Sequence, residues 1–335
     1  MRHPRILTTT IKEGYPPWGE QTDLLLGWAE HVQQTWGERR RATLWQELLW
    51  GWRLFRASKQ YDVVITGFER CAQFFAILQH LFRRKRVPHI FLYVPPKLPE
   101  RRLDRELRRI YLRLVFQAAW RVVTYARRQA EVFARTFELP VEKFEVIYYY
   151  QTLFDTKLRP TQGEYIFSGG DYTRDYKLLI EAVRPLPYPL IIAALHRSYF
   201  KGISIPKHIQ IVTVSHSEFL NLMAGAGLVV LPLQAGLLQS GGQQTFLNAM
   251  SLGKAVVVAD ELGADEYIRN GVTGIVLKPG DTEALRQAIM TLMQNVERAR
   301  GLGEKAKAAA DEFTPRRFFD AILELARTAS TANKS

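Results

Sequence analysis

Two rhythms of apolar and polar positions alternate along this chain. Short runs of consecutive apolar residues recur, separated by stretches whose apolar positions fall three and four apart. In the first half the runs cover 5–10, 62–66, 89–94, 120–125 and 144–148, and helical spacing covers 22–35, 39–58, 71–82, 100–119 and 129–137. In the second half the runs cover 165–167, 190–194, 209–214, 228–231 and 254–259. Helices are predicted there at 177–183, around Phe219, Leu222 and Met223, at 243–252, around Leu285, Ile289 and Leu292, and at 313–329. Continuous apolar runs suit strands covered on both faces, so the alternation predicts an α/β protein with a parallel sheet in each half. Residues 151–163, polar and holding Pro160, read as the linker between domains 1–150 and 164–312. The last helix, within 313–335, is expected to cross back to the first domain. Ser217 and Asp281 are the expected N-caps of their helices, and Gly253 the expected helix stop.

Length and charge sharpen this picture. A chain of 335 residues accommodates two domains of ordinary size. Cys71 is its one cysteine, which excludes a disulfide framework and suits a reducing compartment. The stretch after Met1 is too brief for a secretory h-region, and no run approaches the length of a membrane span. Net charge is +13, unevenly spread: residues 1–150 hold 26 Lys/Arg against 15 Asp/Glu, the remainder 20 against 18. The basic half implies an anionic partner there.

Two helices carry that charge. On 39–58, Leu44, Trp45, Leu48, Leu49, Trp52 and Phe55 form a stripe with Arg39, Arg40, Arg41, Arg53 and Arg56 around it. On 100–119 the stripe is Leu103, Leu107, Ile110, Leu114 and Ala118, among six arginines. Tryptophan with arginine on an amphipathic helix is the composition of a segment lying in a membrane interface; the alternative is a core-facing stripe with a solvated basic face. The run Arg83-Arg84-Lys85-Arg86 adds to the cationic side. Nucleic acid fits less well, because no zinc-finger, RNP-like or helix-turn-helix pattern is present and the aromatics sit among leucines. An anionic membrane surface is therefore the expected partner, with no nucleic acid.

Candidate chemistry lies in the loops that follow strands, where open α/β sheets form their ligand crevice. In the first half these are the loop with Trp18 and Gly19 and the segment Gly67-Phe68-Glu69-Arg70. In the second half they are 168–175 and the turn Ser240-Gly241-Gly242 before a helix. A glycine turn opening a helix aims N–H groups and a positive dipole end at one point, which suits a phosphate; many α/β proteins also use such a turn for packing.

The flanks of that turn resemble the donor-binding half of glycosyltransferase family 4, whose members are retaining enzymes of the GT-B fold. The resemblance runs from Tyr165 to Leu325. It rests on Val229-Val230-Leu231-Pro232, Gly241, Asn248-Ala249-Met250, Leu252-Gly253-Lys254 and Ala255-Val256-Val257. Asp260, Gly263, Glu266, Asn270-Gly271, Gly274 and Pro279-Gly280-Asp281 continue in step. It implies two Rossmann-like domains whose parallel sheets face a central cleft. It also implies a sugar moved from a nucleotide diphosphate-sugar to a glycolipid or polysaccharide-precursor acceptor.

Two departures stand out. The family's paired glutamates fall on Ser240 and Asn248, and of its Arg and Lys that hold the diphosphate only the Lys position is cationic here, as Arg174. The catalytic set implied is Arg174, Ser240 and Asn248. Donor binding is implied for Gly169, Gly170, Arg174, Ser217, Ser240, Gly241, Gly242, Gln243, Gln244 and Asn248, and acceptor binding for Trp18, Gly19 and Glu69. No Asp-x-Asp pair occurs, so no metal and no cofactor beyond the co-substrate is expected. The lost carboxylates keep a second reading open, a non-catalytic member that binds a nucleotide-sugar or a partner protein. Either is expected in the cytoplasm, peripheral on the inner face of the membrane.

Overall fold

The computed structural model describes residues 4–9, 16–25, 43–82, 87–92, 98–99, 101–153, 158–171, 173–238, 241–260 and 262–332. The chain divides into two compact units: residues 1–147 with 318–335, and residues 148–317. The division falls at Ile147, so 148–153 pack with the second unit.

In the first unit a six-stranded parallel sheet has the order β2-β1-β3-β4-β5-β6. Its strands are β1 (Ile6–Thr8), β2 (Thr22–Leu24), β3 (Val63–Thr66), β4 (His89–Phe91), β5 (Arg121–Thr124) and β6 (Phe144–Val146). The strand 22–24 and the helix α1 (Pro16–Gln21) occupy residues read above as a loop and the start of a helix. Prolines suit a first helical turn, where an N–H has no partner to lose. The expected helix 22–35 otherwise lies outside the described residues, as do the basic run 83–86 and the strand end 93–94.

The helices of this unit are α2 (Leu44–Ser58), α3 (Arg70–Leu81), α4 (Arg102–Ala118) and α5 (Arg127–Phe137). Thr43 starts α2 with a capping box shared with Gln46. Of the two apolar stripes, Leu44, Trp45, Leu49 and Trp52 on α2 and Leu103, Leu107, Ile110 and Leu114 on α4 are exposed, whereas Phe55 packs against the core. On α2 the buried positions are Trp50, Gly51, Leu54 and Ser58, and on α4 they are Leu112, Val115 and Phe116. Helix α3 packs against both.

The second unit holds a sheet of order β12-β11-β10-β7-β8-β9, again all parallel. Its strands are β7 (Ile166–Gly169), β8 (Leu190–Ala193), β9 (Ile209–Val212), β10 (Leu228–Pro232), β11 (Val256–Ala259) and β12 (Ile275–Leu277). Buried apolar side chains cover both faces of the sheet, which explains runs such as Leu228–Pro232. The helices are α6 (Tyr176–Val183), α7 (His216–Gly225), α8 (Gln243–Ser251), α9 (Thr282–Gln294) and α10 (Val296–Ala310). Asp281 caps α9 through Ala284 N–H at 2.8 Å. The cap of α7 is Ser215, paired with Glu218, and not Ser217 as the spacing suggested.

Helix α11 (Pro315–Ala332) begins in the second unit and from Phe318 belongs to the first. There Phe318 lies 6.2 Å from the Tyr125 ring and Phe319 lies 5.2 Å from the Trp18 ring.

Candidate functional site

Strand order sets the place. From β7 the chain steps to β8 and β9 on one side, then returns to lay β10, β11 and β12 on the other. The β7–β10 pair is therefore the switch point, where loops leaving the carboxyl ends diverge and open a crevice.

A cavity of about 390 Å³ opens there, within the usual range for small-molecule sites. Gly170 and Asp171 reach it from the end of β7, and Ala193 to Leu195 from the end of β8. Val214, Ser215 and His216 come from beyond β9, and Gln244, Thr245 and Asn248 from α8. Phe219 and Leu220 close its apolar side.

The exit loop of β7 is laced to the exit of β10. Asp175 N–H donates to Pro232 O at 2.7 Å, Gln234 N–H to Thr173 O at 2.9 Å, and Gln234 Nε2 to Arg174 O at 3.1 Å. Thr173 takes φ 63°, a left-handed conformation costly for a β-branched residue and held here by this lacing. The result is to seat Arg174. Its side chain is buried, with Nε donating to Gly169 O at 3.0 Å and Nη2 to Thr245 Oγ1 at 3.2 Å. Burial pulls its pKa down, and Tyr176, Asp171 and Tyr199 oppose that.

The glycines around it have steric causes. A Cβ on Gly170 would sit 2.9 Å from Arg174 Nη2, and one on Gly241 would sit 2.7 Å from Thr173 Oγ1. Gly242 combines φ 80° with a would-be Cβ 3.3 Å from Leu231 and 3.5 Å from Arg174 Nη1. As the N-cap of α8 it leaves the first N–H groups of that helix without a side-chain cap, beside the guanidinium. A buried cation and a helix start thus share one corner, the electrostatics of an anion site.

The other expected residues divide. Gln244 and Asn248 line the cavity, whereas Gln243 is buried beside them and Gly169 ends β7. Ser217 is exposed, its hydroxyl 3.1 Å from Ser215 Oγ, and it is Ser215 that lines the cavity. Ser240 lies outside the described residues. Asn248 is committed elsewhere: its Oδ1 accepts from Thr152 N–H at 2.8 Å, and its Nδ2 donates to Thr152 Oγ1 at 2.9 Å. Asp171, which sequence reasoning left out of the site, accepts from Leu195 N–H at 2.7 Å and His196 N–H at 3.0 Å and braces one wall. Thr245 was missed too, although a threonine one turn into a helix after a glycine turn was the available signal.

In the first unit the switch point is the β1–β3 pair. Thr9 follows β1, and Glu69 closes the loop after β3 as N-cap of α3. A Cβ on Gly67 would lie 2.4 Å from Glu69 Oε1, so that glycine makes room for the carboxyl to fold back. Oε2 of Glu69 and Oγ1 of Thr9 are buried, and neither makes a hydrogen bond of normal geometry, although the two groups are close enough to interact. Burial first, and the Glu47 carboxylate after it, push Glu69 up to about 7, against the opposing pull of its own N–H and the Thr9 hydroxyl. Trp18 was expected to face a ligand but is a core ring, 2 % exposed against Phe319. Gly19 is exposed, with nothing within 4 Å of a would-be Cβ. His89 is a core residue, its Nε2 2.8 Å from Thr66 Oγ1, and burial lowers its pKa to about 3.

Residues 201–309 match the family model "Glycosyl transferases group 1". The chain is 32% identical over 110 residues to an uncharacterized glycosyltransferase of Methanocaldococcus jannaschii, covering 32% of this chain and 24% of that protein. It is 30% identical over 118 residues to an exopolysaccharide phosphotransferase of Streptomyces coelicolor, covering 35% of this chain and 12% of that one. The matches thus span about a quarter and an eighth of these relatives. A crystal structure of Anabaena HepE in complex with UDP-glucose superposes with TM-score 0.70 at 18% identity, over 97% of this chain and 100% of that one. The fold is GT-B: two six-stranded parallel sheets with their helices.

Proposed function

We propose that this chain transfers a sugar from a nucleotide diphosphate-sugar held in the second unit. The family match and the names of the relatives support a transferase. The observation that carries the site is Arg174, buried at the switch point between Gly170, Gly242 and Thr245, at the opening of α8. Departure of a diphosphate concentrates negative charge on its oxygens, and positioned donors at that place cost about 3 kcal/mol each in barrier when removed. The guanidinium and the α8 N–H groups supply such donors, and the apolar walls suit a nucleoside.

In this reading Arg174, Ser240 and Asn248 are the reacting set, transfer proceeds with retention and without a metal, and the acceptor is a glycolipid or polysaccharide precursor. Gly19 and Glu69 contribute to acceptor binding. The reaction takes place on the cytoplasmic side, at an anionic membrane surface. HepE, a neighbour in fold, is described bound to UDP-glucose, which makes UDP-sugars the first donors to test.

A second reading, a non-catalytic nucleotide-sugar or partner-binding member, is favoured by Asn248, whose amide is taken up by Thr152. Thermal shift with UDP-, GDP- and ADP-sugars tests both. One of them is expected to raise Tm, and Arg174→Ala and Arg174→Lys to remove that rise. Lysine lacks the planar fork that reaches Gly169 O and Thr245 Oγ1 together. Absence of any shift sinks the donor site; a shift without hydrolysis or transfer favours the second reading.

A further inference from the structure

The two amphipathic helices of the first unit present their apolar stripes outward. On α2, Trp45, Leu49 and Trp52 lie at i, i+4 and i+7, one face of a helix, and Trp45 is 81% exposed. Arg56 continues the line one turn further, with Arg53 and Lys59 to its sides. Glu47, the one acid of this helix, faces inward and accepts from Cys71 N–H at 3.0 Å. The stripe extends onto α3 through rings, since Trp52 stacks on Phe55 at 5.7 Å and Phe55 meets Phe82 at 5.7 Å. Leu81 and Phe82 are themselves exposed. On α4, Leu103, Leu107, Ile110 and Leu114 repeat the same spacing, with Leu103 72% exposed.

An ordinary surface helix turns such a stripe to the core. Here separate residues do the core packing, Trp50 and Leu54 on α2 and Val115 and Phe116 on α4, so the outward stripes have another use. We propose that α2, α4 and the end of α3 form one face that docks on an anionic lipid bilayer, tryptophan and leucine entering the interface and Arg53, Arg56 and Lys59 meeting headgroups. The assignment does not depend on the transferase reading. Charge decides the occupant: a second copy would set one chain of net charge +13 against another. Nucleic acid would leave the leucines without a partner. A bilayer takes both components, and long basic side chains can lay their stems along apolar surface while their heads reach phosphate.

The test is flotation of the full chain with vesicles of phosphatidylcholine alone or mixed with phosphatidylglycerol, at low and high salt. Binding is expected to the mixed vesicles at low salt, and to fall with salt. The variants Trp45→Ala/Trp52→Ala, Leu103→Gln/Leu107→Gln and Arg53→Glu/Arg56→Glu are each expected to lower the partition coefficient roughly tenfold or more. Leu103→Gln/Leu107→Gln should leave Tm unchanged, because both side chains are exposed, whereas the other two pairs should lower Tm slightly through the lost Arg53–Trp50 and Trp52–Phe55 ring contacts. No binding to the mixed vesicles at low salt would overturn the proposal. So would equal binding to the neutral vesicles, or variants that bind as the parent does. A lipid-free dimer broken by the same variants would assign the face to a second copy instead.

Discussion

Asn248 and Thr152, 96 positions apart in sequence, close a reciprocal pair in which each side chain both donates and accepts. Asn248 is buried at the edge of the cavity, and the pair ties the first residues of the second unit to α8. Thr152→Val removes the hydroxyl and leaves the Asn248 amide N–H groups short of an acceptor. We expect a loss of about 1–2 kcal/mol in urea unfolding. Asn248→Asp should lose more, since a carboxylate cannot donate to Thr152 Oγ1 and would bury an unpaired charge. If both variants unfold at the parent midpoint, the pair is not a structural tie.

Gly242 is required by its backbone. At φ 80° a side chain is strained, and its Cβ would press on Leu231 at 3.3 Å. Gly242→Ala is expected to lower stability by about 1–2 kcal/mol and to weaken nucleotide-sugar binding as well, because the turn aims the first N–H groups of α8. Unaltered Tm and affinity would show that the turn tolerates a side chain.

Glu69 makes stability depend on pH. Its carboxyl is raised from an ordinary 4.5 to about 7. Between those values the folded chain holds a proton that the unfolded chain has released. Its contribution is complete below pH 4.5 and is lost as pH rises through 7. The difference is about 3 kcal/mol, and Glu69→Gln should flatten the slope of unfolding free energy over that window. An identical slope in the variant would mean that other groups set it.

Lys254 slopes the other way at alkaline pH. It is buried, its Nζ donating to Ala226 O at 2.8 Å and also to Thr161 O, and burial lowers its pKa from 10.5 to about 8. From pH 8 to 10.5 the unfolded chain binds the extra proton, so stability should rise across that range in the parent and not in Lys254→Met. The variant should also be less stable at pH 7, since two carbonyls lose their donor. A Lys254→Met protein with the parental profile would remove the lysine from this role.

Much of the architecture can be read from the chain because ten of the twelve strands leave a run of apolar residues, as at Val256–Ala259. The two that escape, Thr22–Leu24 and Ile275–Leu277, are edge strands of three residues with polar or half-exposed positions. Helix α10 escapes for a different reason. Its buried side is built mainly from Ala299, Gly303, Ala306 and Ala310, whose small side chains give little periodic signal. They serve close approach, a Cβ on Gly303 falling 2.0 Å from Gly253 O. Arg174 was legible through the family resemblance, at the family's Lys position, but the partners that seat it were not. Thr245 and Gln234 reach it only through the parallel pairing of β7 with β10. The capping serine shows the same limit at short range, because Ser215 and Ser217 are two residues apart and only the fold chooses between them.

The return of α11 to the first unit makes the second unit an insertion within the first. On the ribosome, the residues that complete the wall beside Trp18 and Tyr125 emerge only after the whole of 148–317 has been made. The sheet made earlier must therefore wait, with aromatic surface uncovered, for a helix encoded after the whole second unit.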